Sequence, residues 1–227
     1  MPLATEKIAP SKTRSQQAAD LFQVWNRKLH FYLGLYFLFF IWLFAFTGLL
    51  LNHSSWKFAE FWPTRKVSSY QRQIQHPPPG DDVVQARDVM RQLGIAGEIQ
   101  WGNAPKDPGR LDFQVGRPGQ SFAVKADLHQ DIAKVERTEI NAWGVMRVLH
   151  TFTGVRVGDT RNQRDWMLTT IWALSMDALA LGLTVMVLSG IYMWYGLKGK
   201  RNLGLAALAL GMVTCGWFLF GLRLLRS

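Results

Sequence analysis

Three long apolar stretches interrupt an otherwise mixed chain. The first runs from Phe31 to Leu51, 21 residues without a charged side chain. As a helix it would be about 31 Å long, enough to cross a hydrocarbon core of about 30 Å. The second stretch, 166–195, contains one acid, Asp177. The pattern therefore predicts three transmembrane helices, at residues 21–53, 166–195 and 203–222.

A small soluble domain is predicted between the first two helices, at residues 81–140. Asp81 or Asp82 can cap a helix that ends at Gly94. A helix followed by an antiparallel meander makes an α+β domain whose sheet buries one face against the helix. Alternating apolar and polar positions predict the strands of this meander at Glu98–Trp101, Leu111–Val115, Ser121–Ala126 and Ile132–Thr138.

The remaining segments are polar. Residues 1–20 predict a disordered tail, 54–80 a linker that includes three consecutive prolines, and 141–165 an interfacial loop. Short segments rich in Lys and Arg favour the cytoplasm, whereas long loops cross regardless of charge, so residues 54–165 are predicted on the opposite side. Five cations precede the first apolar stretch: Lys7, Lys12, Arg14, Arg27 and Lys28.

The composition excludes several classes of function. The net charge of +10 is explained by membrane topology, and no recognition helix is evident, so no nucleic acid is expected. The single cysteine, Cys215, excludes an intrachain disulfide and a cysteine-based zinc or iron–sulfur site within one chain. No P-loop, dinucleotide-binding glycine motif or Ser–His–Asp arrangement is present. Any electron donor is therefore not bound by a recognisable module of this chain.

Two phrases are repeated along the chain. The phrase R-x-L-H-x-x-x-G occurs at residues 27–34 and again at 147–154. The phrase FTGLLL at 46–51 returns more loosely as LSGIYMW at 188–194. The first copy places His30 just before the first apolar stretch, and the second places His150 in the segment that precedes the second helix.

His53 and His150 form the best candidate pair of ligands within the chain. His53 ends the first helix and His150 precedes the second, so both are predicted at the same membrane boundary. Neutral imidazole is a strong axial ligand, and two imidazoles can hold a haem between helices. The pair is therefore a candidate site for the iron of haem b. The alternative is that both are interfacial side chains bonded to headgroups or backbone.

His30 cannot share that site. It lies 23 residues from His53, which corresponds to about 34 Å along a helix and about 140° around it. It could bind a cofactor together with His30 of a second copy or with another protein, or it could be a simple interfacial histidine.

Three charged residues are further candidates. Asp177 is expected to lie within the hydrocarbon, to face the interior of the helix bundle and to have a partner there, or to pack beside Ser175. Arg147 and Arg156 could meet haem propionates or an anionic siderophore, although such arginines more often contact lipid phosphate.

Several features together resemble the PepSY-associated transmembrane proteins, over residues 26–195. They are the two L-H-x-x-x-G phrases, the T-G-L-L-L phrase, the helix-plus-meander domain and the S-G-I-Y-M-W phrase. The soluble domain resembles the PepSY domain, whose last hairpin usually reads D-P-x-T-G. Here Asp127–Asp131 keeps the first Asp and lacks the Pro and the Gly.

The resemblance implies a bacterial inner-membrane protein with residues 54–165 in the periplasm. Some members are similar to haem-containing reductases that release iron from siderophores, generally with four membrane helices and more membrane histidines. We therefore expect a haem-binding electron-transfer protein linked to ferric-siderophore reduction or iron uptake. The alternative is a non-catalytic PepSY regulator or an accessory subunit of a membrane complex. The expected partners are the bilayer, a second copy or another membrane protein, and a ferric siderophore.

Overall fold

The computed structural model describes residues 13–100, 109–155, 164–197, 199 and 201–221. Long helices lie near both ends of this part of the chain, and a sheet lies between them. In chain order the elements are α1 (Arg14–Asn52), a 3-10 turn (Lys57–Ala59), β1 (Lys66–Gln73), α2 (Asp82–Leu93), β2 (Glu98–Gln100), β3 (Arg110–Arg117), β4 (Gln120–Asp127), β5 (Ile132–Glu139), α3 (Ala142–Thr151), α4 (Met167–Tyr195), α5 (Arg201–Gly216) and a π-helical turn (Trp217–Gly221).

Among the described residues, three helices are long and apolar enough to cross a membrane, as predicted. They are α1 with 39 residues, α4 with 29, and α5 with its π-helical turn, together 21. Helix α1 begins at Arg14, earlier than expected, because the residues from Ser15 to Asp20 include good helix formers such as Gln and Ala. Residues 1–12 of the predicted disordered tail lie outside the described residues.

The soluble domain is a five-stranded antiparallel sheet in the order β1-β5-β4-β3-β2. Its first strand comes from the segment 54–80, which the sequence pattern assigned to a linker. Strand β1 pairs with β5 along its whole length, from Lys66 opposite Glu139 to Gln73 opposite Ile132. The strand is polar and almost fully exposed because it forms an edge of the sheet, and so it lacks the alternating pattern of a half-buried strand.

Helix α2 and the sheet enclose the core of this domain, as predicted. Asp81 caps α2 by accepting a 2.8 Å hydrogen bond from the N–H of Val84. Gly94 ends the helix with φ 70°, a left-handed conformation that favours glycine. The buried core consists of Ile74, Ala86, Val89, Met90, Leu93, Ile95, Ile99, Leu111, Phe113, Val115, Phe122, Val124, Ala126, Ala133 and Val135. The α+β part of the predicted fold class is thereby confirmed.

A short helix, α3, occupies the start of the segment 141–165, where the sequence predicted an interfacial loop. The side chain of Asn141 caps it by accepting a 3.1 Å hydrogen bond from the N–H of Gly144. The polar stretch that suggested a loop begins only after α3, and residues 156–163 lie outside the described part.

Contacts between Cα atoms divide the chain into two compact units. The boundaries fall between Leu38 and Phe39 in α1 and between Leu179 and Ala180 in α4. The unit 39–179 contains the soluble domain, α3 and the adjoining halves of α1 and α4. The other unit contains the remaining halves of α1 and α4 together with α5.

Candidate functional site

His150 lies on α3, and its ring packs against α1 within the unit 39–179. Its Nδ1 lies 2.8 Å from Oγ1 of Thr47, a residue that is 1% exposed. The ring centroid lies 5.2 Å from that of Phe44. A Cβ atom at Gly48 would lie 3.4 Å from Cε1 of the imidazole. One turn of α1 therefore forms the wall of this site, and the missing side chain of Gly48 leaves room for the ring.

The hydrogen bonds of Thr47 define which nitrogen of His150 carries the proton. Oγ1 of Thr47 lies 2.7 Å from the carbonyl oxygen of Leu43 and 3.2 Å from that of Phe44. A hydroxyl has one proton, and a carbonyl can only accept it. The Thr47 hydroxyl therefore donates to the backbone and accepts from the Nδ1–H of His150. Neutral His150 then carries its lone pair on Nε2, the atom that can accept a proton or bind a metal.

Aromatic side chains enclose this imidazole. Phe44 stacks on Trp172 of α4, with the ring centroids 6.4 Å apart and the planes at 18°. The indole Nε1 of Trp172 donates a 3.2 Å hydrogen bond to the backbone oxygen of Phe152, directly after α3. The start of α4 and the end of α3 are thereby held beside His150.

His30, the histidine of the first repeat, lies on α1 against α4 in the other unit. A Cβ atom at Gly190 would lie 3.8 Å from Cε1 of His30. The adjacent Ser189 is 5% exposed, and its backbone oxygen accepts a 3.4 Å hydrogen bond from Nδ2 of Asn26. Nδ1 of His30 and Oγ of Ser189 are buried, and neither has a hydrogen-bond partner in the described part of the chain.

Each of the two histidine sites is built from both copies of the sequence repeat. His150 comes from the second R-x-L-H phrase and lies against Thr47–Gly48 of the first exit phrase. His30 comes from the first R-x-L-H phrase and lies against Gly190, the neighbour of Ser189 in the second exit phrase. Each site therefore combines an imidazole with a hydroxyl–glycine pair from the other half of the repeat. The repeat is visible in the sequence, but this exchange is not.

His53 directly follows α1 and is exposed. Its ring stacks on Trp56 with a centroid distance of 4.5 Å, and its Nδ1 lies 3.0 Å from the backbone oxygen of Leu49. Thr47 and His53 are six residues apart, which corresponds to about 9 Å along a helix and about 120° around it. The described contacts therefore do not bring His53 to His150, and their shared ligand stays a prediction.

Arg147 is buried on α3, one turn before His150, with 7% of its surface exposed. Its guanidinium carbon lies 5.3 Å from the ring centroid of Phe61. Arg156 lies outside the described residues.

Asp177 is exposed on α4, and its predicted partner in the interior of a helix bundle stays a prediction. The hydroxyl of Ser175 donates to the backbone oxygen of Ile171 and gives no sign of the packing with Asp177 that was the alternative. Helix α4 is apolar around its whole circumference, so the sequence offers no amphipathic pattern that would orient the acid.

A buried glutamate that the sequence did not single out joins the soluble domain to α4. Glu98 on β2 is 1% exposed, and its carboxylate accepts hydrogen bonds from the N–H of Asp165 at 2.7 Å and of Trp166 at 3.1 Å. An anion at this end of a helix is favoured by the helix dipole. Because neighbours alternate along a strand, Ile99 enters the core while Glu98 faces the start of α4. In the sequence, the one sign of this role is that Glu98 is a charged residue within a predicted strand.

Asp165 completes this connection. Its carboxylate accepts hydrogen bonds from Arg87 of α2, at 2.8 Å from Nε and 2.7 Å from Nη2. It also accepts a 3.3 Å hydrogen bond from the N–H of Ile99. The Asp165 side chain is 2% exposed, so α2, β2 and the start of α4 meet in a buried polar cluster.

The fold and the sites define a class of protein: apolar helices long enough to span a membrane, a small α+β domain between two of them, and histidines on the helices. The family of the PepSY-associated TM region matches residues 10–196, and the chain belongs to this family. Comparisons with curated proteins and with solved structures found no match. Among the described residues, no group of three or more His, Cys, Asp or Glu side chains is arranged to hold a metal ion.

Proposed function

We propose that this membrane protein binds haem b through His150 and passes electrons to ferric iron. The observation that carries the proposal is the hydrogen bond between Nδ1 of His150 and Thr47. It leaves Nε2 as the ligand atom, and a partner on the other ring nitrogen orients ligating histidines and raises their basicity.

Two further features beside His150 fit a porphyrin. Gly48 has no side chain that would crowd the Cε1 edge of the imidazole, so the helix leaves His150 room to turn toward a ligand. Arg147, one turn earlier on α3, carries buried hydrogen-bond donors that suit a propionate. His53 is the proposed second ligand, and its ring would have to turn away from Trp56. His30 is the proposed ligand of the equivalent site in the other unit.

Haem, when bound, supplies one-electron redox chemistry. Thr47 orients the imidazole, and Phe44 packs against one side of it. We propose a bacterial inner membrane as the location, with the N-terminus in the cytoplasm and residues 54–165 in the periplasm. The acceptor is then a periplasmic ferric siderophore, which releases its iron when one electron reduces the iron to the ferrous state.

Absorption spectroscopy of the purified full-length protein from haem-replete cells tests this function. We expect a Soret band and α-bands that sharpen on reduction, and a strong loss of both in His150→Ala. His53→Ala is the matched comparison and should lose the six-coordinate spectrum if His53 is the second ligand. A colourless wild-type preparation would overturn the proposal.

A non-catalytic regulator is the second candidate function. It is favoured by the cluster of Glu98, Asp165 and Arg87, which gives the soluble domain a firm connection to a membrane helix. In this case His150→Ala would leave cellular function intact, whereas deleting residues 81–140 would abolish it. The haem proposal predicts loss of function in both variants.

A further inference from the structure

Arg147 is a buried cation whose hydrogen bonds are incomplete. Its Nε and Nη2 are shielded from solvent and have no hydrogen-bond partner in the described part of the chain. The guanidinium group stays protonated in proteins, so the residue cannot avoid the cost of burial by losing its charge. An unpaired buried charge costs several kcal/mol. The arrangement therefore calls for an anion.

The one described contact of the guanidinium group is with an aromatic face. It lies 5.3 Å from the ring centroid of Phe61, within the range of a cation–π interaction. This contact stabilises the charge, but an aromatic face is a weaker partner for a guanidinium N–H than an oxygen acceptor is. Nε and Nη2 lack an acceptor among the described residues, and an oxyanion is the ligand whose geometry the planar guanidinium matches best. Because both atoms are shielded from solvent, neighbouring side chains would have to move to admit it.

An open cavity of about 220 Å³ adjoins this position. Phe61, which touches Arg147, is part of its wall, together with Trp62 and with Val148 and Phe152 from the chain around α3. The other wall is the end of the sheet, where Arg117, Gln120 and Thr138 contribute polar atoms. The cavity thus offers an aromatic and aliphatic surface beside a polar one.

The charges around the cavity leave a positive surplus. Gln120 accepts a hydrogen bond from Arg117 and donates one to Glu139. Arg137 also bonds to Glu139. One carboxylate therefore lies among two guanidinium groups at the sheet, and Arg147 adds a third cation on the side of α3.

We propose that Arg147 binds the phosphate or carboxylate of an amphipathic anion whose apolar part lies along the cavity beside Phe61. Helix α3 lies against the last turns of α1, through Thr47 and His150, near the boundary where lipid phosphates lie. An anionic phospholipid and a small soluble anion share this chemistry. A haem propionate would compete for the same guanidinium group, so the site is tested in the haem-free protein; it uses neither ring of His53 nor of His150.

Thermal unfolding of the haem-free full-length protein in a neutral detergent tests the site. The probes are phosphatidic acid, diacylglycerol with the same acyl chains, and inorganic phosphate. Arg147→Met removes the charge at similar length, and Arg72→Met is the control at an exposed position. We expect phosphatidic acid to raise the unfolding midpoint of the wild type and of Arg72→Met, with binding to Arg147→Met at least about tenfold weaker. Diacylglycerol should have no effect.

The anion-free proteins give a second measurement. If Arg147 lacks an internal partner, Arg147→Met removes an uncompensated charge and should unfold at a higher temperature than the wild type. A lower midpoint would indicate an internal partner and overturn the proposal. An unchanged response of Arg147→Met to phosphatidic acid, or an equal response of the wild type to diacylglycerol, would also overturn it. A response to inorganic phosphate as well as to phosphatidic acid would identify a soluble anion as a ligand, and a response to phosphatidic acid alone would identify a lipid.

Discussion

The two histidine sites contain the same kinds of residue and differ in how their polar atoms are bonded. At the first site, Nδ1 of His150 and the hydroxyl of Thr47 are joined at 2.8 Å. At the second, Nδ1 of His30 and the hydroxyl of Ser189 are both buried without a partner among the described residues. The same sequence repeat therefore gives two different sites. At the first, the hydrogen bond to Thr47 defines the tautomer of His150. At the second, polar atoms of His30 and Ser189 have no hydrogen-bond partner among the described residues.

The surroundings of the first site explain part of this difference. His150 is on α3, which directly follows the last strand of the soluble domain, and the start of α4 is fastened to that domain through Glu98. His30 lies between two long helices, and the described contacts of its unit include no such domain. The soluble domain should therefore control the geometry of the first site alone.

Among the substitutions that distinguish the two histidine sites, Glu98→Ala should lower the free energy of unfolding the most. It leaves the N–H groups of Asp165 and Trp166 without their acceptor and opens a cavity, at a cost of about 2–4 kcal/mol. Denaturant unfolding measures this cost, and ¹⁵N spectra of the imidazoles of His150 and His30 show which of the two sites is disturbed. We expect only the His150 signals to shift.

Glu98→Gln is the control for this change. It keeps one acceptor oxygen and most of the volume, and it should cost less than Glu98→Ala. Equal shifts of both imidazoles in Glu98→Ala would show that the two sites are coupled and would remove the basis of the comparison.

Thr47→Val and Ser189→Ala should change the free energy of unfolding by amounts that differ in sign or size. Thr47→Val leaves Nδ1 of His150 buried without an acceptor, at a cost of about 1–2 kcal/mol, and ¹⁵N shifts should report loss of the defined Nδ1–H tautomer. Ser189→Ala removes a buried hydroxyl without a described partner, so it should be neutral or slightly stabilising. Unfolding of both variants in one detergent makes the comparison.

Thr47→Ser tests whether the hydroxyl is responsible. It should restore the tautomer that Thr47→Val loses, since the serine hydroxyl can form the same bonds. An Nε2–H tautomer of His150 in the wild type would contradict the assignment directly.

The sequence predicts those parts of the fold that depend on local patterns. The three apolar segments, a cap at Asp81 or Asp82 and a helix end at Gly94 all follow from short-range physics, and each agrees with the structure, which selects Asp81. Strand β1 could not be predicted in the same way, because an edge strand with both faces exposed has no hydrophobic period. Its pairing with β5 is a long-range interaction.

For the candidate site, the sequence predicts which histidines take part but not which residues they contact. The repeat identifies His30 and His150, but helical arithmetic within one helix says nothing about which helix each ring meets. The pairing of His150 with Thr47 depends on tertiary packing, and the same holds for the exposure of Asp177. Glu98 was missed because its role requires the start of α4 to approach β2, far away in sequence.

The smallest difference between the two sites is expected in the unfolding midpoints of Gly190→Ala and Gly48→Ala. Alanine favours a helix over glycine by about 0.5–1 kcal/mol. At position 190 the new Cβ would lie 3.8 Å from His30, an ordinary contact, so we expect this gain to appear as a higher unfolding midpoint. At position 48 the new Cβ would lie 3.4 Å from His150. This distance is at the limit of ordinary contact, and any shift of the imidazole would lengthen its hydrogen bond to Thr47, so we expect a smaller gain. An equal rise in both midpoints would mean that the His150 ring can adjust its position, and that the hydrogen bond to Thr47 restrains it less than the structure suggests.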